Sequence, residues 1–153
     1  MTSNVYTKNV ESARKAAREV LRTRAISNLM TNRRTHTEEI EALEKRTVSL
    51  DKQLAIAAYD VEQAKATNNP RLEDLQKTFG NVEKEVTREK KDIKCSVERH
   101  QDLIADINRE IDEYGDGKKK VSFEALEELA LEFVKAGVKQ SFIDGDFSVQ
   151  DSQ

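Results

Sequence analysis

The apolar residues of this chain recur three and four positions apart along two long segments. The first ladder of such positions runs from Leu29 to Ala64, and the second runs from Leu72 to Tyr114. This spacing places one apolar stripe on each helix, and a stripe of that kind is stable only when it is buried against a partner. The pattern therefore predicts two long helices that pack along their length.

The two ladders mirror each other about Asn68. If the chain folds back there, residue i faces residue 136 − i, and every layer pairs an a position with a d position, as antiparallel coiled-coil packing requires. Ala57 then lies opposite Phe79, and a small side chain facing a large one keeps the distance between the helices constant. The predicted fold is all-α: a long antiparallel coiled-coil helical hairpin with a short C-terminal helix packed at its base.

Breaks in the apolar ladder set the predicted boundaries. Within the hairpin, helices over about 9–67 and 70–114 are joined by a turn at Asn68, with Asn69 as the cap of the second helix and Pro70 in its first turn. The segments that we predict are a disordered N-terminus over 1–8, the hairpin over 9–114, a flexible linker over 115–121, an amphipathic helix over 122–138 and a polar tail over 139–153.

The C-terminal helix carries an apolar stripe that needs a surface to cover it. The mirror relation aligns Tyr114 with Arg22, so the first helix extends beyond the end of the second. We expect the stripe to pack on this overhang, within the chain or in a second copy, and to mediate self-association. Ala130 and Val138 belong to the stripe, and the residues that we expect to mediate self-association are Phe123, Leu126, Leu129, Phe133 and Val134.

The composition agrees with long solvated helices. Apolar residues make up 37% of the chain and charged residues 36%, with five glycines and one proline, a balance typical of coiled coils. No apolar stretch is long enough to predict a transmembrane helix. The first residues lack the apolar run of a secretory signal, so we expect an intracellular protein, cytoplasmic or nuclear, that is not secreted.

No arrangement of residues predicts catalysis. Cys95 is the only cysteine, which excludes an internal disulfide and a cysteine-based zinc site. The Asp144-Gly145-Asp146 sequence lacks the spaced ligands and terminal glutamate of a calcium loop. We therefore expect neither an enzyme nor a bound cofactor or metal.

Charge is distributed unevenly along the chain. Residues 8–34 contain eight Lys or Arg against two Glu, whereas residues 121–153 contain two against seven Asp or Glu. The basic overhang predicts contacts with phosphates or with an acidic partner, including the chain's own C-terminal helix. Aromatic residues that could stack on bases are absent from it, so any nucleic-acid binding would be salt-sensitive and directed at the backbone. The basic side chains are Arg14, Lys15, Arg18, Arg22 and Arg24.

His36 and His100 are the only two histidines, and the mirror relation places them in one core layer. A polar layer in a coiled coil fixes the register at some cost in stability. Two alternatives are a pH-sensitive layer and a metal site with Glu39 as a third ligand. A contact between these two histidines is therefore the most direct test of the predicted hairpin.

These patterns favour a non-enzymatic structural or interaction protein, a scaffold, adaptor or assembly subunit that acts through helix docking. We expect protein partners, in a homo-oligomer or a larger complex. One alternative is a nucleic-acid-binding accessory protein that uses the basic overhang. Another is a hairpin chaperone, because the paired long helices resemble the layout of prefoldin, although the chain has no strand segments from which to build a prefoldin barrel.

Overall fold

The computed structural model describes residues 9–144, so the predicted disorder over 1–8 and the last part of the predicted tail, 145–153, lie outside the described residues. Three α-helices account for most of the described chain, and no strand occurs in it. The all-α prediction is confirmed. The helices are α1 (Val10–Ala66), α2 (Leu72–Gly115) and α3 (Phe123–Ile143).

Helix α1 is 57 residues long and contains no proline or glycine. At its start, the Asn9 side-chain oxygen accepts a hydrogen bond from the Ser12 backbone N–H at 2.9 Å, which satisfies one of the free donors of the first turn. The chain leaves α1 after Ala66 through Asn68, whose φ of 47° lies in the left-handed region. Asparagine tolerates this conformation better than most residues, which explains the turn at this position.

Asn69 prepares the start of α2. Its side-chain oxygen accepts a hydrogen bond from the Arg71 N–H at 2.9 Å, and its carbonyl accepts one from the Leu72 N–H at 3.1 Å. Pro70 lies between them, where its missing N–H costs nothing. The helix itself begins at Leu72, two residues after the predicted start.

Helix α3 is longer than the sequence predicts. The Ser122 hydroxyl caps its first turn by accepting a hydrogen bond from the Ala125 N–H, and the helix then continues to Ile143 rather than ending at Val138. Residues 139–143 of the predicted polar tail are therefore helical. Gly137 did not end the helix, because an interior glycine costs only about 1 kcal/mol and this one is buried.

The described residues form two compact units. Residues 32–106 make up the mid-chain unit, and residues 9–31 with 107–144 make up the terminal unit. The mid-chain unit is built around Leu50, Val86 and Ile93. Partly buried residues from both helices pack against them: Leu43, Leu54, Val82 and Val97.

One ladder position of the mid-chain unit remains accessible to solvent. Leu103 is 38% exposed, although the apolar spacing predicts that it is buried.

In the terminal unit, α3 packs on the N-terminal part of α1. Ala13 and Ala17 are fully buried, and they form one cluster with Leu126 and Ala130. The C-terminal helix therefore packs within its own chain, which is one of the two arrangements that the sequence predicts. The partly buried residues around the cluster are Leu21, Val121, Leu129, Phe133 and Val134.

Several large apolar residues of α3 face solvent instead. Phe123 is 75% exposed and Phe142 is 68% exposed, so each end of the helix carries a largely exposed aromatic side chain. Leu131, Val138 and Ile143 are exposed as well. No helix within residues 9–144 has the length and apolar character required to cross a bilayer.

Gly80 provides a test of the α2 backbone. A Cβ added there would meet nothing within 4 Å, so Gly80→Ala should stabilise the protein by about 1 kcal/mol through the higher helix propensity of alanine. The measurement is urea unfolding followed by circular dichroism. Gly117→Ala is the matched control, because φ at Gly117 is +81° and an alanine there should destabilise the protein. A loss of stability in Gly80→Ala would contradict the helical assignment at this position.

A cation-lined pocket as the candidate functional site

The terminal unit contains a cavity of about 730 Å³ bordered by α1, the α2–α3 connection and the start of α3. Its size falls in the range of sites that bind small molecules or peptide side chains. Cationic and apolar side chains both border it. The lining residues are Arg14, Arg18, Arg22, Tyr114, Gly117, Lys119, Lys120, Val121, Phe123, Leu126 and Glu127.

Helical spacing brings three arginines to the cavity. Arg14, Arg18 and Arg22 are four residues apart, so they lie on one face of α1. Lys15 and Arg24, which the sequence grouped with them, are exposed and do not line the cavity. The structure therefore gathers three of the five predicted basic residues.

Two further cations come from the connection between α2 and α3. Gly117 takes a positive φ, the Asp116 side chain accepts a hydrogen bond from the Lys118 N–H at 3.0 Å, and the Lys119 N–H donates to the Glu113 carbonyl at 3.0 Å. These bonds direct Lys119 and Lys120 to the cavity. The sequence predicts a flexible linker over 115–121, and its run of three lysines is the signal for these two cations.

Three of the five cations are paired with carboxylates. Arg14 donates two hydrogen bonds to Glu127, from Nε to Oε1 at 2.9 Å and from Nη2 to Oε2 at 3.4 Å. Arg22 pairs with Glu19, and Lys119 pairs with Glu110. These contacts fix the direction of the side chains and neutralise part of their charge.

Arg18 and Lys120 differ from the other three. Both are exposed, and neither forms a hydrogen bond or an ion pair with any residue in 9–144. Their charges are therefore available to an incoming anionic group without the loss of an existing pair.

The cavity also contains aromatic and apolar surface. Tyr114 and Phe123 line it, beside Val121 and the buried Leu126. The Lys119 ammonium lies 5.5 Å from the centroid of the Tyr114 ring, within the range of a cation–π contact. The overhang itself contains no aromatic residue, and folding brings these two to its arginines from distant parts of the sequence.

The ion pairs shift two ionisations near the pocket. The hydrogen bond from Arg22, followed by its charge, lowers the pKa of Glu19 below its ordinary value of 4.5. The hydrogen bond to Glu110 raises the pKa of Lys119 above its ordinary value of 10.5. Both groups are therefore charged at neutral pH, and the pocket keeps its mixed-charge character there.

The predicted apolar stripe of α3 is used mainly inside the chain. Leu126 is buried, and Leu129, Phe133 and Val134 pack against the cluster that Leu126 and Ala130 form with the α1 alanines, whereas Phe123 remains exposed at the pocket. Self-association through these residues stays a prediction. Of the five, Phe123 has the most surface to offer.

The two histidines meet in the mid-chain unit. His36 Nδ1 and His100 Nδ1 are 2.8 Å apart, and the ring centroids are 5.0 Å apart with the planes tilted by 48°. One Nδ1 must donate and the other accept, so this hydrogen bond cannot form when both nitrogens are protonated. Among residues 9–144, no three His, Cys, Asp or Glu side chains are placed to hold a metal ion, and Glu39 does not complete such a set.

Comparison with known proteins gives no family assignment. The chain matches no protein-family model, no curated protein and no solved structure.

The shifted ionisation of Glu19 can be tested directly by NMR titration of its side-chain carboxyl. Arg22→Gln should raise the Glu19 pKa towards 4.5, because it removes the hydrogen bond and the nearest charge. Since the folded-state pKa is lowered, this carboxylate stabilises the fold above its unfolded pKa, and the contribution is lost as the pH falls through the folded pKa. Arg18→Gln is the control and should produce a smaller shift, because its charge acts on Glu19 without a hydrogen bond. Equal shifts in the two variants would contradict the pairing.

Proposed function

We propose that this protein is a non-enzymatic scaffold or adaptor that acts by docking helices. In this proposal the mid-chain unit is an antiparallel coiled-coil hairpin that serves as a rigid spacer. The terminal unit supplies the surface that binds partners, among them further copies of the chain. Mechanism then consists of geometry and surface complementarity.

The order of contacts supports the hairpin. His36 contacts His100, whereas Arg46, ten residues later on α1, donates to Glu89, eleven residues earlier on α2. As the residue number rises along α1, the residue number of the contacting partner on α2 falls, which is the order expected for antiparallel helices. The ion pair between Lys90 and Asp51, at 2.8 Å, adds a polar contact on the flank of the buried cluster.

The observation that carries the interaction role is the exposed apolar surface of α3. A helix in water gains nothing from exposed Leu131, Val138, Phe142 and Ile143, and apolar side chains exposed along one element mark interaction sites. Val138, Phe142 and Ile143 border one shallow groove with Val134. Lys135 and Lys139 flank it, which suits a surface that is exposed before a partner binds.

Nucleic-acid binding remains the second candidate, because three arginines and two lysines converge on one cavity with Tyr114. The charge of the terminal unit weighs against it. Its described residues contain eleven Lys or Arg and eleven Asp or Glu, whereas domains that bind nucleic acid carry a basic excess. A neutral unit attracts a polyanion weakly over distance.

Engineered disulfides test the hairpin. Leu50→Cys with Val86→Cys, in a Cys95→Ser background, should form a crosslink within one chain, because both residues are buried in the same cluster and their numbers sum to 136. The readout is mobility on a non-reducing gel with intact mass. Leu50→Cys with Ile93→Cys is the control, since one heptad along α2 is about 10 Å and too far for efficient closure. Crosslinked dimers without an intrachain product would refute the hairpin.

The docking role predicts that the full chain self-associates. Its mass in solution should exceed the 17.4 kDa of one chain, and Val138→Asp with Phe142→Asp should lower it, because two charges then replace exposed apolar surface. Sedimentation equilibrium over a range of concentrations provides the mass. The control pair, Val48→Asp with Ile56→Asp, makes the same change at exposed positions of the mid-chain unit. A wild-type chain that is monomeric at every concentration would argue against the scaffold.

A further inference from the structure

The pocket of the terminal unit presents both positive charge and exposed aromatic surface to a ligand. Arg18 and Lys120 form no hydrogen bond or ion pair with any residue in 9–144, and Phe123, 75% exposed, presents an aromatic ring at the same pocket. A complementary ligand must therefore bring carboxylate or phosphate groups together with an apolar side chain. A simple anion would pair with the cations but would leave the aromatic surface uncovered.

The carboxylates at the pocket limit how much negative charge a ligand can carry. Glu127 lines the cavity, while Glu19 and Glu110 hold two of its cations. A polyphosphate backbone would meet these groups at close range, and like charges repel strongly where water is partly excluded. A peptide with a few separated aspartates avoids this repulsion, so the pocket favours an acidic peptide over a nucleic acid.

The chain itself contains a segment of this composition. Residues 144–153 include three aspartates, no lysine or arginine, and the apolar Phe147 and Val149. Immediately before it, Phe142 and Ile143 are exposed at the end of α3. Acidic and apolar residues thus alternate over one short stretch.

The length of α3 keeps Phe147 from reaching the pocket of its own chain. Phe123 and Ile143 lie at opposite ends of a 21-residue helix, and at about 1.5 Å per residue the ends are roughly 30 Å apart. Phe147 is four residues beyond Ile143, and four extended residues span at most about 14 Å. A Phe147 side chain that packs in the pocket must therefore come from another molecule.

We propose that the pocket binds residues 142–151 of a second copy of this chain, with Asp144 and Asp146 facing Arg18 and Lys120, and Phe147 packed against Phe123. Each copy has one pocket and one segment, so reciprocal exchange closes a two-fold dimer with both pockets filled. This inference rests on the proposed scaffold role, because it names the contact by which copies assemble. In this dimer Arg18 and Lys120, which have no ion-pair partner among residues 9–144, bind the aspartates of the second copy.

A synthetic peptide of residues 142–151 tests the proposal. The peptide carries a fluorescent label and is titrated with the full chain bearing Phe147→Ala, which weakens competition by the chain's own segment. Fluorescence anisotropy should report saturable binding. Replacing Asp144 and Asp146 of the peptide by Asn, or Phe147 of the peptide by Ala, should each weaken binding at least about fivefold, a difference of about 1 kcal/mol, and neither change affects folding of the receptor.

Receptor variants locate the binding site. Arg18→Glu with Lys120→Glu should weaken peptide binding at least about tenfold, because each removes an attraction and adds a repulsion. Lys15→Glu with Arg24→Glu is the charge-matched control on the same unit, outside the pocket, and should leave the affinity within about twofold. Circular dichroism and thermal unfolding establish that both receptors keep their helices.

Each remaining outcome decides the question. Equal weakening by the pocket variant and the control variant would show unspecific charge attraction and overturn the proposal, as would the absence of binding. A labelled single-stranded oligonucleotide that binds more tightly than the peptide, and that the pocket variant releases, would reassign the pocket to nucleic acid. If the peptide fails to bind while the wild-type mass still exceeds one chain and falls in the Val138→Asp, Phe142→Asp variant, the scaffold role stands and this occupant alone is wrong.

Discussion

The packing of α3 on two fully buried alanines is the contact on which the terminal unit depends. Because Ala13 and Ala17 have only a methyl side chain, the backbone of α3 can approach α1 closely, and Leu126 and Ala130 fill the space between them. This approach brings the start of α3 beside the arginine face of α1. A larger residue at either alanine would separate the helices and open the cavity to solvent.

Close approach also explains how the pocket acquires its mixed character. Arginines spaced four apart lie on one face of α1 and line the pocket. The capped start of α3 contributes Phe123, and the turn at Gly117 contributes Lys119 and Lys120. Carboxylates then restrain some of these cations and leave others available. Surface ion pairs of this kind add little stability, so their main effect is to select which charges a ligand can reach.

Much of the fold follows from the sequence because helices are encoded locally. The heptad spacing, the absence of proline and glycine between Asn9 and Thr67, and the caps at Asn69 and Ser122 predict three helices. The end of α3 was predicted too early, because a buried glycine and a polar stretch resemble a terminus when tertiary packing is unknown. The pocket could not be assembled from the sequence, since Tyr114, Lys119 and Phe123 reach the arginines only through a turn whose geometry depends on one positive φ.

The histidine contact in the mid-chain unit has a chemical consequence of its own. Two identical side chains, 64 positions apart in sequence, are made inequivalent by a single shared hydrogen bond, since one ring must carry its proton on Nδ1 and the other on Nε2. Exchanging these roles requires both rings to change tautomer together. The contact thus couples the tautomer of one helix's histidine to that of the other.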